Sequence, residues 1–277
     1  MKKIAIILFS TLLSFQTAYA SPPTSAMSSF PSKDIATNAQ AIELSPNTLI
    51  TPETQRESNE SLKYSIKATY PQIKGEKLSS AESAFNQAIK NQVMDEIQKF
   101  KTNVNSQYTH RQTLPLSLQQ NRLRIDYDVD LIQPKNQSLI SVRLAVEGMQ
   151  AGNAHPYHYH RVLNYDLKNS KTLTFKDIFK PQADYLRVFS HYSTQKLQKS
   201  LQSSLMVKNG AAPYAKNFQT WNLEPDGILI TFSEYQVGPY AEGPQEIHIP
   251  YSALKNLISP KASILSCADG VTSCGVQ

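Results

Sequence analysis

Past its first residues the chain has no hydrophobic run long enough to cross a bilayer, which takes about 20 apolar residues in a helix. The apolar stretch it does have, Ile4 to Phe15, is shorter and is broken by Ser10, Thr11 and Ser14. A membrane anchor is therefore not expected. Cysteine is missing except for Cys267 and Cys274, near the end. That leaves no Cys beside the leader for a lipid anchor and no set of thiols for a metal cluster. No dense Lys/Arg run is present, so nucleic acid is not an expected partner. G-x-S-x-G, H-E-x-x-H and P-loop motifs are all missing, which removes the commonest hydrolase, zinc-protease and nucleotide readings. No internal repeat is found, and no residue pattern calls for a cofactor.

What is present begins with an export signal. Lys2 and Lys3 precede the apolar run, and Gln16-Thr17-Ala18-Tyr19-Ala20 follows it. A basic start, an apolar run and a small-x-small site make a secretory signal, so cleavage is expected between Ala20 and Ser21. The product would be periplasmic or secreted and is expected to be monomeric. Its formal charge falls from +6 to +4 when Lys2 and Lys3 leave. That is mildly basic and says little about partners. In an oxidising compartment the two cysteines are expected to pair, Cys267 with Cys274.

Residues 21–60 are rich in Ser, Thr, Pro, Asn and Gln and poor in large apolar side chains, which predicts a disordered linker. From about Leu62 the pattern changes. Tyr64, Ile66, Ala68 and Tyr70 alternate with polar residues, as in a half-buried strand. Ser79-x-x-Glu82 is a capping box. It opens a helix with Phe85, Ile89, Val93, Ile97 and Phe100 on one side. Further strands are expected over 122–131, 139–146, 161–167 and 246–249, with a hairpin of 218–224 and 228–232 around Pro225-Asp226-Gly227. A long helix is expected over about 183–206 and a short one over 252–258. The fold class is α+β, with antiparallel sheets and packed helices. It divides into an N-terminal module, 61–135, a C-terminal module, 136–260, and a tail, 261–277, holding the disulfide.

Several phrases carry a resemblance. Tyr64-x-Ile66 with Tyr70-Pro71-x-Ile73-x-Gly75 is one. Gly152-Asn153-Ala154-His155-Pro156, Leu163-Asn164-Tyr165-Asp166-Leu167 and Leu173-x-x-x-Asp177-Ile178-Phe179 follow in order. Then come Phe232-x-x-Tyr235-x-Val237-Gly238-Pro239-Tyr240-Ala241-x-Gly243 and Ile249-Pro250-Tyr251-Ser252-x-Leu254. Together they resemble the RsiV-like family, over about Lys63 to Ile258. Its members include the outer part of a lysozyme-sensing anti-sigma factor and the non-catalytic front of PdaC-type peptidoglycan deacetylases. The resemblance implies a two-part ectodomain, the second part similar to a subdomain of the heat-shock-cognate ATPase fold. It implies binding at the cell wall, with a lysozyme-type muramidase or the peptidoglycan glycan as partner. These 277 residues hold neither a sigma-binding segment nor a deacetylase domain, so the binding module alone is expected, and no enzyme.

Candidate site residues follow from both readings. The loop around Tyr235, Tyr240 and Glu242 has Gly and Pro to stiffen it and aromatic rings to anchor a partner. Its plainer reading is a strand crossover. His155 falls in the family phrase, where it either fixes a turn or, with Glu242, serves a wall-glycan hydrolase or metal-dependent enzyme. Glu234 and Glu242 are a formal glycosidase pair whose spacing the sequence leaves open. Asp126, Asp128 and Asp130 form a one-sided acidic ladder, suited to a cationic partner or Ca²⁺, or simply facing water beside Arg124 and Arg143. His158 and His160 share a strand face and would chelate Zn or Cu with a third ligand such as Glu147 or His248. No stoichiometric metal is expected.

Overall fold

The computed structural model describes residues 41–107, 111–135, 137–270 and 274–275. The leader and its cleavage site at Ala20 and Ser21 lie outside the described residues, as does the first half of the expected linker. All described residues belong to one compact unit, Lys33–Gln277. No helix among them is long and apolar enough to cross a membrane.

Seven strands form the main sheet in chain order: β1 (Ile42–Ser45), β2 (Thr48–Asn59), β3 (Tyr64–Gly75), β4 (Asn121–Ile132), β5 (Leu139–Met149), β6 (Tyr157–Asp166) and β7 (Lys171–Thr172). Neighbours pair antiparallel except β3 and β4, which run parallel from Tyr64↔Asn121 to Ala68↔Ile125. The sheet is thus mixed, where antiparallel pairing alone was expected. Parallel neighbours need a long crossover, and α1 (Ser80–Ser106) supplies it. The Ser79–Glu82 capping box is formed. Phe85, Ile89, Val93, Ile97, Phe100 and Val104 are buried on one side of α1. They meet Ile66, Leu123, Ile125, Tyr127, Val142 and Leu144 from the sheet to make one core.

The expected linker is corrected in its second half. Residues 42–59 form the β1–β2 hairpin, and β2 pairs with β3 along its whole length, Thr48↔Gly75 to Asn59↔Tyr64. Its side chains are mostly polar, and only Leu44 and Ile50 are buried. The stabilisation comes from the backbone ladder, which composition does not report. The boundary expected at 135 also moves, because β4 and β5 pair from Arg122↔Met149 to Ile132↔Leu139 and so keep 139–172 in the first layer.

The second layer is smaller. A helical turn α2 (Phe175–Ile178) leads to α3 (Tyr185–Ser200) and α4 (Ser204–Gly210). The single long helix expected here is broken, because Leu201 leaves α3 in extended conformation and buries its side chain. Leu205, within the range expected for that helix, is 68% exposed. Strands β8 (Trp221–Leu223), β9 (Gly227–Phe232) and β10 (Gln245–Pro250) form an antiparallel sheet of order β10-β9-β8. Short helices α5 (Tyr251–Leu254) and α6 (Leu265–Ala268) follow. A second core forms here from Phe189, Phe218, Phe232, Ile230, Ile249 and Tyr251. Cys267 and Cys274 are joined in a disulfide. The tail is docked on the main sheet through the Gln133 N–H to Cys274 carbonyl bond and the Ile132↔Gly275 bridge.

Candidate functional site

The face of β4, β5 and β6 turned away from α1 carries a polar row, read from Asp126, Asp128 and Asp130 on β4 through Arg143 on β5 to His158 and His160 on β6. The small sheet covers much of this face. Asn164 Nδ2 donates to the Trp221 carbonyl at 2.9 Å, and Arg143 reaches Thr231 Oγ1 at 3.1 Å. The expected wet face is therefore an interface between two layers.

At one end of the row stands a ledge of rings. Tyr235 follows β9 in left-handed backbone, φ 62°, and is 59% exposed. Tyr240 opens a short turn, Tyr240–Glu242, and its hydroxyl donates to the Pro156 carbonyl at 3.1 Å. Its ring centroid lies 5.7 Å from that of Tyr235 and 4.2 Å from His155. His155 Nδ1 is 2.9 Å from the same Pro156 carbonyl. A carbonyl only accepts, so that nitrogen carries the proton. Tyr235, Tyr240 and His155 are thus brought together. Glu242 is not part of the ring cluster. Its Oε2 would lie 2.6 Å from a Cβ at Gly238, and it is buried without a hydrogen-bond partner.

Behind the ledge, His158 Nδ1 meets Glu234 Oε1 at 3.0 Å, and Nε2 lies 3.8 Å from Glu147 Oε2. Glu147 and Glu234 together hold the imidazole above its ordinary range. Glu147 is held low by His158 and by Arg122, 3.1 Å away. His160 behaves oppositely. Burial, with Arg143 and His158 close by, pushes it down to about 3. The two histidines thus have different surroundings, one engaged by carboxylates and one kept neutral. His248 is elsewhere, with Nε2 3.0 Å from Asp226 Oδ1 and 3.5 Å from Glu224 Oε2. Among the described residues these three have ligand atoms within 4.8 Å of one another.

The acidic ladder divides. Asp126 pairs with Arg124 on its own strand, and Asp128 with Arg143 at 2.8 Å. Asp128 and Asp130 line a cleft of about 230 Å³ with Ser141, Arg143, Asn222, Glu224 and Glu246. Burial, then Glu224 and Asp128, push the Asp130 carboxyl up to about 7. Burial also raises Asp128 and Glu224. Sequence reasoning missed Asn222, Glu224 and Glu246. Glu224 adjoins the Pro225-Asp226-Gly227 turn, and Glu246 alternates with His248 on β10, but alternation alone does not say which sheet faces which.

Residues 176–252 match a family described as a protein of unknown function, DUF3298. Over 203 residues the chain is 27% identical to the peptidoglycan-N-acetylmuramic acid deacetylase PdaC of Bacillus subtilis, covering 72% of this chain and 40% of PdaC. Over 128 residues it is 28% identical to the anti-sigma-V factor RsiV of the same organism, covering 43% of this chain and 44% of RsiV. It therefore spans less than half the length of either relative. A crystal structure of a DUF3298 family member from Bacteroides fragilis shares the fold, with TM-score 0.55 and 17% identity, covering 80% of this chain and 98% of that one.

Proposed function

We propose that this chain, which carries a DUF3298, RsiV-like domain, is a non-enzymatic binding protein of the cell envelope, exported to the periplasm or beyond, with a lysozyme-type muramidase as partner. The observation that carries this reading is the ring ledge. Tyr235 is exposed on a turn, with Tyr240 and His155 packed behind it and Tyr240 tied to Pro156. Rings held in place lose little entropy on contact and make good anchors. Glu234 and Glu147 behind it are engaged by His158, and Glu147 also by Arg122, so the rings rather than free charge carry the contact. Many lysozymes are strongly basic, and this chain is itself +4 without its leader, so attraction must be short-range.

A second reading takes peptidoglycan glycan as the ligand. The Tyr240–His155 ring pair favours it, since aromatic faces suit sugar faces. Calorimetry separates the two, with several lysozyme classes in one arm and soluble muropeptides in the other. Tyr235→Ala is expected to weaken lysozyme binding about thirtyfold, or ~2 kcal/mol. Heat with muropeptides alone would favour the glycan. No heat in either arm near ~100 μM protein would reduce the likeness to relatives to one of fold.

A further inference from the structure

The cleft between the two sheets is separate from the ring ledge. Four carboxylates line it, from Asp128, Asp130, Glu224 and Glu246, with Arg143 as its one cation. Arg143 is already engaged, holding Asp128 at 2.8 Å and Glu246 at 2.6 Å. The Asp130 carboxylate has no ion-pair or hydrogen-bond partner among the described residues, and that of Glu224 has only His248, 3.5 Å away and nearer to Asp226.

A second, independent feature lies in the same wall. Asn222 is 3% exposed and its Oδ1 has no hydrogen-bond partner. The orphan atom is the oxygen and not the nitrogen, and the hydrogen bonds around it fix this. The Leu223 N–H donates to Asn164 Oδ1 at 2.9 Å, so that atom is an acceptor. Ser141 Oγ therefore gives its only proton to Asn164 Oδ1, at 2.8 Å. Ser141 must then accept from Asn222, at 2.9 Å, which fixes Nδ2 toward Ser141 and Oδ1 away. A buried carbonyl oxygen without a donor is destabilising. It gains a partner if a cation stands in the cleft.

We propose that the cleft is a binding site for a hard divalent cation of the calcium type, with Asp130, Glu224 and Asn222 Oδ1 as protein ligands. Carboxylates and an amide carbonyl make an all-oxygen donor set, which selects such ions over zinc or copper. A cleft of about 230 Å³ leaves room for the waters that complete the shell.

The test is thermal unfolding of the purified protein, after chelation and dialysis, with calcium chloride against sodium chloride of equal ionic strength. Millimolar calcium is expected to raise Tm by about 3–5 °C, the affinity being that of extracellular calcium modules. Asp130→Asn and Glu224→Gln should each remove the response, while keeping a chelated Tm at or above that of the parent, since repulsion is relieved. Asp126→Asn, outside the cleft, should keep the response. A calcium shift no larger than that with sodium chloride would overturn the proposal, as would one that survives both cleft variants or is lost in Asp126→Asn. So would stabilisation by zinc alone that His248→Ala abolishes, because it would put the ion on Glu224, Asp226 and His248 instead.

Discussion

Asp130 is the residue whose behaviour departs furthest from its type. Its carboxyl, ordinarily near 3.8, is raised to about 7. The folded state therefore holds a proton that the unfolded chain releases, and stability from this group is full below pH 3.8 and lost as pH rises through about 7. In chelated buffer, Tm is expected to fall between pH 5 and pH 8. His158, raised by Glu147 and Glu234, acts in the same direction, so the Asp130 share is the difference from Asp130→Asn. After solvent screening that difference should be about 2–4 °C. A parallel pair of melting curves over this range would reject the assignment. The rings of the ledge were legible one residue at a time, and the lining of the cleft was not. Tyr235 and Tyr240 stand in one phrase and His155 in another, and the three rings meet. Asp126, Asp128 and Asp130 were read as one ladder and do not act as one, because the first two pair with Arg124 and Arg143 while Asp130 faces the like charge of Glu224, from the turn after β8 far away in sequence.

At the level of elements, α1 is the part most fully written in the sequence. Ser79 Oγ accepts from the Glu82 N–H at 3.2 Å, and Glu82 Oε2 accepts from the Ser79 N–H at 2.7 Å. Ser79→Ala is expected to cost about 1 kcal/mol, read as a lower urea midpoint with an unchanged slope. A shift under ~0.3 kcal/mol would mean the cap contributes little beside the buried stripe of Phe85 to Val104. Elements fixed by partners were harder to read. Nothing in Thr48–Asn59 announces a strand, since its twelve residues bury almost nothing and depend on β3 for pairing. The direction of β4 against β3 was likewise invisible in alternation, though a helix lying between two strands is the feature that permits parallel pairing. In Ser200–Ser203 a helical pattern continued while burial of Leu201 pulled the backbone out of it.

For the molecule as a whole, the disulfide joins a tail that has somewhere to go. Cys274 is 3% exposed, and its carbonyl accepts from Gln133 at the end of β4. Cys267 sits in α6, against the second core. The bridge thus helps fasten the end of the main sheet to the smaller layer. Reduction is expected to lower stability by about 2–3 kcal/mol, seen as a Tm drop on adding a phosphine reductant. Cys267→Ser with Cys274→Ser should reproduce it. An unchanged Tm in both would show that Ile132↔Gly275 pairing alone keeps the tail in place.

The short β1 has a consequence for how copies of the protein treat one another. It pairs only as far as Ile50 on β2, so among the described residues the outer ladder of 51–59 faces no strand. Bare ladders invite a neighbour's strand and lead toward fibrous aggregates. Pro52 and Arg56 are exposed on this strand, one lacking an N–H and the other bearing charge. They are the guards expected on such a rim. Pro52→Val with Arg56→Val should leave the monomer folded yet drive concentration-dependent association in sedimentation velocity. A double variant that sediments as the parent does would mean the rim is shielded in some other way. The polar composition of this hairpin, which hid it as a strand, is also what makes it tolerable as an edge.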